Sequence, residues 1–411
     1  MSDVGREQRH DPYFALRSGN YRAFAAGFLT SSTGLQMLAT AIGWEVWERT
    51  EDPLALGYIG LTRAVPVLIL ALPAGHASDL YNRKYILMLS QIGFALSAAG
   101  LAAASYLHAP VWVLYALLAL TGCARSLAGP ARASLLPLLV DAPVFHNAIT
   151  WNSGVFQFSA IAGPLAAGAL IAATGEAWPV YVCAALGCAI FAGSAGVLRP
   201  RAAERGTGKF TLASMGAGLG HVLREKTILA TLTLDLMAVL LGGATALLPI
   251  YADEVLHVGA LGLGWLRAMP YVGALVMSLV LAHRPPFARA GPALLWSVAG
   301  FGACTIVFGL SRDITLSLAM LFLLGALDNV SVVVRHVLVQ VRTPDSLRGR
   351  VSAVNSVFIE SSNELGAFES GLVARLFSPL ISVVSGGIGT IVMVGAIAMI
   401  WPEIRRLGAL R

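Results

Sequence analysis

A seven-residue string occurs twice in this chain of 411 residues. Gly60-Leu61-Thr62-Arg63-Ala64-Val65-Pro66 lies near one end of an apolar run. Gly264-Trp265-Leu266-Arg267-Ala268-Met269-Pro270 repeats its G-x-x-R-A-x-P pattern 204 positions later. An arginine inside an apolar run is rare and costly, so its recurrence in the same context implies one unit used twice. The duplication reaches further. Gly122, Arg125 and Arg132 match Gly325, Asp328 and Arg335, and Asn152, Ser153, Gly163 and Gly168 match Asn355, Ser356, Gly366 and Gly371, all at an offset of 203. Any fold must therefore hold two similar halves. Because six apolar runs separate equivalent positions, the repeats are expected to be parallel, related by an axis along a membrane normal.

The chain is 57% hydrophobic and only 12% charged, about half the charge fraction of a soluble domain. Its apolar runs reach about 20 residues or more, enough to cross roughly 30 Å of hydrocarbon. Strand-like alternation is absent, so the spans are read as helices. Twelve are predicted, near 21–48, 54–78, 84–107, 111–137, 144–173, 178–198, 227–252, 260–283, 291–311, 314–341, 348–375 and 379–402. The expected fold is an all-α membrane protein, its twelve transmembrane helices forming two pseudo-symmetric six-helix bundles. The parts are a segment 1–20, a bundle 21–198, a linker 199–226, a second bundle 227–402 and a tail 403–411.

The net charge of +6 would also suit a nucleic-acid binder, but the basic residues sit between spans, where topology explains them. Arg17, Arg22, Arg83, Lys84, Arg199, Arg201, Arg224, Lys226, Arg284, Arg342 and Arg405 all fall on one side; the other holds little more than Arg49, Arg312 and Arg375. Both termini and the linker are accordingly expected in the cytoplasm, with no nucleic-acid partner. The polar segment 1–20 does not read as a removable signal peptide. Cys123, Cys183, Cys188 and Cys304 show neither disulfide nor metal spacing and are read as small buried residues. No G-x-x-x-x-G-K-[ST] or H-E-x-x-H occurs, so an ATPase or membrane hydrolase loses support, and no enzyme activity, cofactor or metal is expected.

Three motifs carry a family resemblance. Gly75-His76-Ala77-Ser78-Asp79-Leu80-Tyr81-Asn82-Arg83-Lys84 resembles the major facilitator superfamily signature G-x-x-x-D-[RK]-x-G-[RK]-[RK], with Leu80 replacing a basic residue and Asn82 a glycine. Asn82 is read as a left-handed turn residue in that glycine's place. Ser159 to Gly168 resembles that superfamily's antiporter motif G-x-x-x-G-P-x-x-G-G. Its small residues suit close helix approach and Pro164 suits a kink. Asp328-Asn329, Arg335 and Thr343-Pro344-Asp345-Ser346-Leu347-Arg348-Gly349-Arg350-Val351 are similar to the enterobactin-exporter-like branch, related to bacterial drug:proton antiporters. The resemblance implies efflux by alternating access and gating at Gly75, Asp79, Arg83, Gly163 and Pro164.

Charges inside spans must pair, face water or go neutral. Asp235, Asp328, Glu360, Glu364 and Glu369 are candidates for proton coupling. Glu360 and Glu364 stand four apart on one helix face, where two like charges favour one bound proton. Glu45, Arg63, Arg125, Arg267 and Arg335, with Gln36, Trp44, Asn152, Gln157, Asn329, Asn355 and Asn363, are candidate cavity residues. Arg125 and Asp328, equivalent in the repeat, are expected to face one another across a cavity, and Glu45 is a candidate partner for Arg63. Fixed ion pairs holding helices together are the competing reading for each of these charges. The expected activity is proton-coupled efflux of a small siderophore-like or drug-like organic molecule, by a monomer in a bacterial inner membrane. Rival readings are multidrug efflux of lipophilic cations, lipid or lysolipid transport, and a non-transporting receptor.

Overall fold

The computed structural model describes residues 12–201, 219–285, 287–344 and 347–409; within the helices the side chains of 71, 72, 75, 76, 78–80, 348–350, 353, 357 and 360 lie outside the described set. The first half contains α1 (Gly19–Thr50), α2 (Pro53–Leu80), α3 (Arg83–Tyr106), α4 (Val111–Leu139), α5 (Ala142–Thr174) and α6 (Trp178–Val197). The second contains α7 (Lys226–Leu241), α8 (Gly259–Ala282), α9 (Ala290–Leu310), α10 (Ile314–Arg342), α11 (Arg348–Leu376) and α12 (Pro379–Ile400). Among the described residues, ten of the spans are long and apolar enough to cross a membrane. α1 and α11 are as long but more polar; α11 carries Glu360, Glu364 and Glu369.

Local chemistry sets the ends. Asp52 accepts from Leu54 N at 3.0 Å with Pro53 following, Asp313 accepts from Leu316 N at 2.8 Å, and Ser378 accepts from Ile381 N at 3.1 Å ahead of Pro379. Each side chain satisfies an amide that the first helical turn leaves unpaired. Asn82 does the same for α3, accepting from Lys84 N at 3.0 Å, with φ −67° and ψ 116°. It is an N-cap in extended backbone and not the left-handed turn expected at that position.

The seventh span also departs from expectation. α7 stops at Leu241, and the chain continues through a 3-10 turn (Ala244–Leu247), a single α turn (Leu248–Ile250) and a π turn (Tyr251–Val255). Pro249 cannot donate to a helix ladder, and Gly242-Gly243 costs helix stability. A Cβ on Gly243 would stand 2.5 Å from Ser370 Oγ and 2.7 Å from Gly366 O, so glycine also admits α11.

The helix neighbours repeat with the sequence. In the first half α1 lies against α5 and α6, α6 against α3, α3 against α4, and α4 against α2. Adding six to each label gives the second half: α7 against α11 and α12, α12 against α9, α9 against α10, and α10 against α8. Between halves, α2 meets α11 and α5 meets α8. These two seams exchange under the same shift, as a two-fold axis between parallel repeats requires.

The seams are built from glycines. A Cβ on Gly168 would stand 2.5 Å from Ala260 O, and one on Gly264 would stand 2.7 Å from Pro164 O. A Cβ on Gly371 would stand 2.7 Å from Pro53 O, and one on Gly57 would stand 3.1 Å from Phe368 O. Such close approach is how helices associate where lipid offers no hydrophobic drive.

The two ends of the molecule differ. At the end away from the termini, one buried cluster joins both halves, including Trp47, Leu56, Ile171 and Tyr181 with Tyr251, Leu263, Phe308 and Ala374. Trp47 Nε1 donates to Asp253 at 3.0 Å, and Arg375 pairs with Asp52 at 3.0 Å, both across the halves. At the termini end the cores of the described residues are separate: one holds Tyr21, Phe24, Leu135 and Phe191, and others hold Leu234, Leu294 and Leu338 or Ile228, Val339 and Val354. Within the expected tail, 403–411, the described residues continue a short helix (Pro402–Arg405) and fold back, the carbonyls of Leu407 and Gly408 accepting from Gly291 N and Ala290 N. Cys188 and Cys304 are buried as expected, but Cys183 is exposed on the outer surface of α6.

Candidate functional site: a cavity between the halves

A cavity of about 480 Å³ lies between the two bundles. Its wall combines α1 (Ser32, Gln36, Ala39), α2 (Arg63), α3 (Gln91, Phe94), α4 (Arg125, Arg132), α5 (Phe156), α8 (Arg267, Tyr271) and α11 (Asn363, Glu364). The repeat explains the twin arginines: Arg63 and Arg267 enter from equivalent helices of the two halves. Arg267 Nη1 donates to Ala39 O at 2.5 Å, reaching from α8 across to α1. Arg132 stands over the Phe28 ring at 4.6 Å from its centroid. Arg125 Nη1 faces Glu364 Oε1 at 3.9 Å. Among the described lining residues four are arginines and one is a carboxylate. The described wall is therefore rich in guanidinium and aromatic groups, chemistry that suits an anion with flat apolar parts.

A second polar cluster is enclosed within the second half. Arg335 on α10 pairs with Asp235 on α7, and both are 7% exposed. Asp235, Asp328 and Ser331 share a void of about 10 Å³ with Val239, Val298 and Phe301, room for about one water. In the first half the equivalents of Asp235, Asp328 and Arg335 are Ser32, Arg125 and Arg132. In the second half Arg335 is thus paired internally with Asp235, while in the first half Arg125 and Arg132 line the cavity.

The Major Facilitator Superfamily family model matches residues 24–367. The chain belongs to the Major Facilitator Superfamily. It is 25% identical over 391 residues to proteins named enterobactin exporter EntS from Shigella boydii serotype 18 and from Escherichia coli O139:H28, covering 93% of this chain and 93% of each relative. Among solved structures, a POT family transporter in complex with 5-aminolevulinic acid has a TM-score of 0.73 at 10% identity, covering 94% of this chain and 97% of that one. A point mutant of the nucleoside transporter NupG has a TM-score of 0.72 at 11% identity, covering 93% of this chain and 99% of that one. A bacterial homolog of the human lysosomal transporter Spinster, inward-facing and occupied, has a TM-score of 0.70 at 14% identity, covering 96% and 97%. These likenesses establish the superfamily fold, and the chain is a multi-pass membrane transporter.

Within that superfamily frame, the candidate residues separate into groups. Gln36, Arg63, Arg125, Arg267, Asn363 and Glu364 line the cavity. Several others lie elsewhere. Glu45 pairs with Arg49 at 2.5 Å and accepts from Tyr181 Oη at 2.6 Å, so it is not the partner of Arg63. Arg125 and Asp328 do not face one another; Arg125 meets Glu364, and Asp328 sits behind the wall with Asp235. Arg335 is likewise enclosed. Trp44 packs against the core shared by both halves. Gln157 Nε2 donates to Tyr271 O at 2.5 Å across the α5–α8 seam. Asn329 accepts from Ser278 on α8 at 3.1 Å. Asn152 Oδ1 is buried on α5 with no hydrogen-bond partner among the described residues, and Asn355 is half-buried on α11. Glu369 Oε2 accepts from Ser370 Oγ at 3.4 Å.

Of the gating candidates, a Cβ on Gly163 would stand 2.5 Å from Gln36 Cβ, and Pro164 lies inside α5 with its carbonyl against Gly264. Arg83 opens α3. The side chains of Gly75, Asp79 and Glu360 fall outside the described set. Arg132, noted in the sequence only for the repeat, Tyr271 and Gln91 are polar cavity residues that the candidate set did not include. Arg132 stands seven after Arg125 and Tyr271 four after Arg267, spacings that share a helix face. Gln91, which accepts from Ser31 Oγ at 2.6 Å, is a lone amide in the apolar run of α3.

Proposed function

We propose that this transporter is a proton-driven exporter of a small organic anion, working by alternating access in a bacterial inner membrane as a monomer. The observation that carries the reading is the cavity itself, with Arg63, Arg125, Arg132 and Arg267 against the single described carboxylate Glu364. Four guanidiniums along the described wall suit an anion better than a lipophilic cation, so the anion reading outranks cationic drug efflux. Phe94, Phe156 and Tyr271 offer faces for aromatic rings. The enterobactin-exporter names of the 25% identical relatives support a siderophore-like cargo. With the termini in the cytoplasm, the end sealed by both halves is the outer one, and the conformation is inward-facing.

Coupling rests on the carboxylates. Asp235 and Asp328 supply two negative charges near Arg335, leaving one for a proton to neutralise. Glu360, Glu364 and Glu369 on α11 are further candidates. Reconstituted in proteoliposomes, the wild type should move 2,3-dihydroxybenzoate under an imposed pH gradient. Asp328→Asn should lose that drive while keeping counterflow exchange. Undiminished pH-driven movement by Asp328→Asn would remove Asp328 from the coupling machinery.

A further inference from the structure

Arg125 belongs to the first half and Glu364 to the second, so their 3.9 Å approach spans the moving parts. The contact is loose. It exceeds hydrogen-bond length, and the Arg125 side chain is 43% exposed, so the guanidinium retains donors for another acceptor. Glu364 is brought there by the α2–α11 seam: a Cβ on Gly60 would stand 2.7 Å from Glu364 O and 3.3 Å from its Oε2. The carboxylate thus extends past a bare glycine into a wall that also carries Arg63, Arg132 and Arg267.

We propose that the Glu364 carboxylate is a tethered stand-in for the transported anion, seated at Arg125 when the cavity is empty and displaced when cargo binds. The inference rests on the anion-exporter reading above. Its physical basis is the cost of enclosing a charge. A carrier that occludes an unaccompanied guanidinium strands it in low dielectric, which is unfavourable. Cargo removes that penalty on the loaded leg of the cycle, and Glu364 removes it on the substrate-free leg. Loading exchanges one anion for another at Arg125, so the charge at the seat stays nearly constant through both legs.

The test uses purified full-length protein and radiolabelled 2,3-dihydroxybenzoate. Glu364→Gln keeps the shape and removes the charge. It should bind the probe about tenfold more tightly than the wild type and slow net downhill efflux about tenfold relative to counterflow exchange, because only net efflux needs the substrate-free return. Arg125→Gln should weaken binding, and adding Glu364→Gln to it should give no further gain, since the competition has lost its object. If Glu364→Gln does not fold, Glu364→Asp decides: its carboxylate is one methylene shorter, and it must bind more tightly than the wild type. Binding by the wild type with equal or weaker binding by these Glu364 variants overturns the stand-in and leaves the anion reading intact. No binding by the wild type overturns both.

Discussion

At the scale of single residues, Asp235 and Arg335 show how a charge is made tolerable away from water. Each is almost fully enclosed, and they neutralise one another. Removing one partner strands the other, which costs about 3–5 kcal/mol, whereas replacing both with apolar groups of similar size costs little. Arg335→Met alone should therefore lower the unfolding temperature in detergent sharply, and Asp235→Leu/Arg335→Met should recover most of the loss. A double variant as unstable as the single would show that the pair does more than cancel charge. The sequence made both residues visible as charges inside spans. It did not make them visible as partners, because helical spacing gives a residue's face and says nothing of which neighbour that face meets. The same limit misdirected the expected pairings of Glu45 with Arg63 and of Arg125 with Asp328.

At the scale of helices, the two seams hold the halves together at one end. Gly168 and Gly264 let α5 and α8 approach until backbone meets backbone. Gly168→Leu should push them apart and destabilise the sealed end. Leu56, buried at 3% exposure where the cavity approaches that end, offers a reporter. In a background with the four native cysteines replaced by alanine, Leu56→Cys should react slowly with a membrane-impermeant maleimide applied outside. Adding Gly168→Leu should speed that labelling several-fold; an unchanged rate would show that the α5–α8 seam does not govern sealing. Element ends were the most legible feature of the chain. Lipid forces every span to satisfy its own backbone, so apolar length and capping residues suffice to place helices. The break after Leu241 was legible too, in Gly242-Gly243 and Pro249, but the apolar run across it masked the interruption.

For the whole molecule, the repeated pattern predicted the relation between halves, since matching patterns in parallel repeats must occupy equivalent places. The cavity's position followed from that relation, but its charge did not. Arg125 and Arg132 of one half and Asp328 and Arg335 of the other occupy equivalent sequence positions, and the fold shows which of them line the cavity and which are enclosed. The two-fold relation also makes a prediction. Asp52→Cys/Arg375→Cys replaces the ion pair that joins the start of α2 to α11 across the halves at the sealed end. Bridging the two thiols with a reducible bifunctional thiosulfonate should arrest net transport, and reductant should restore it. Full transport by the crosslinked protein would mean that the halves need not part there.

The bare backbone along these seams bears on what enters when they open. Interlocked side chains would have to change rotamer before separating; a glycine ridge leaves a smooth slot. Acyl tails from the surrounding leaflet can fill such a slot without an apolar penalty, because to them it is one more hydrocarbon surface. Opening should therefore be easier in fluid, unsaturated bilayers than in tightly ordered ones, making the neighbouring lipid a participant in the cycle.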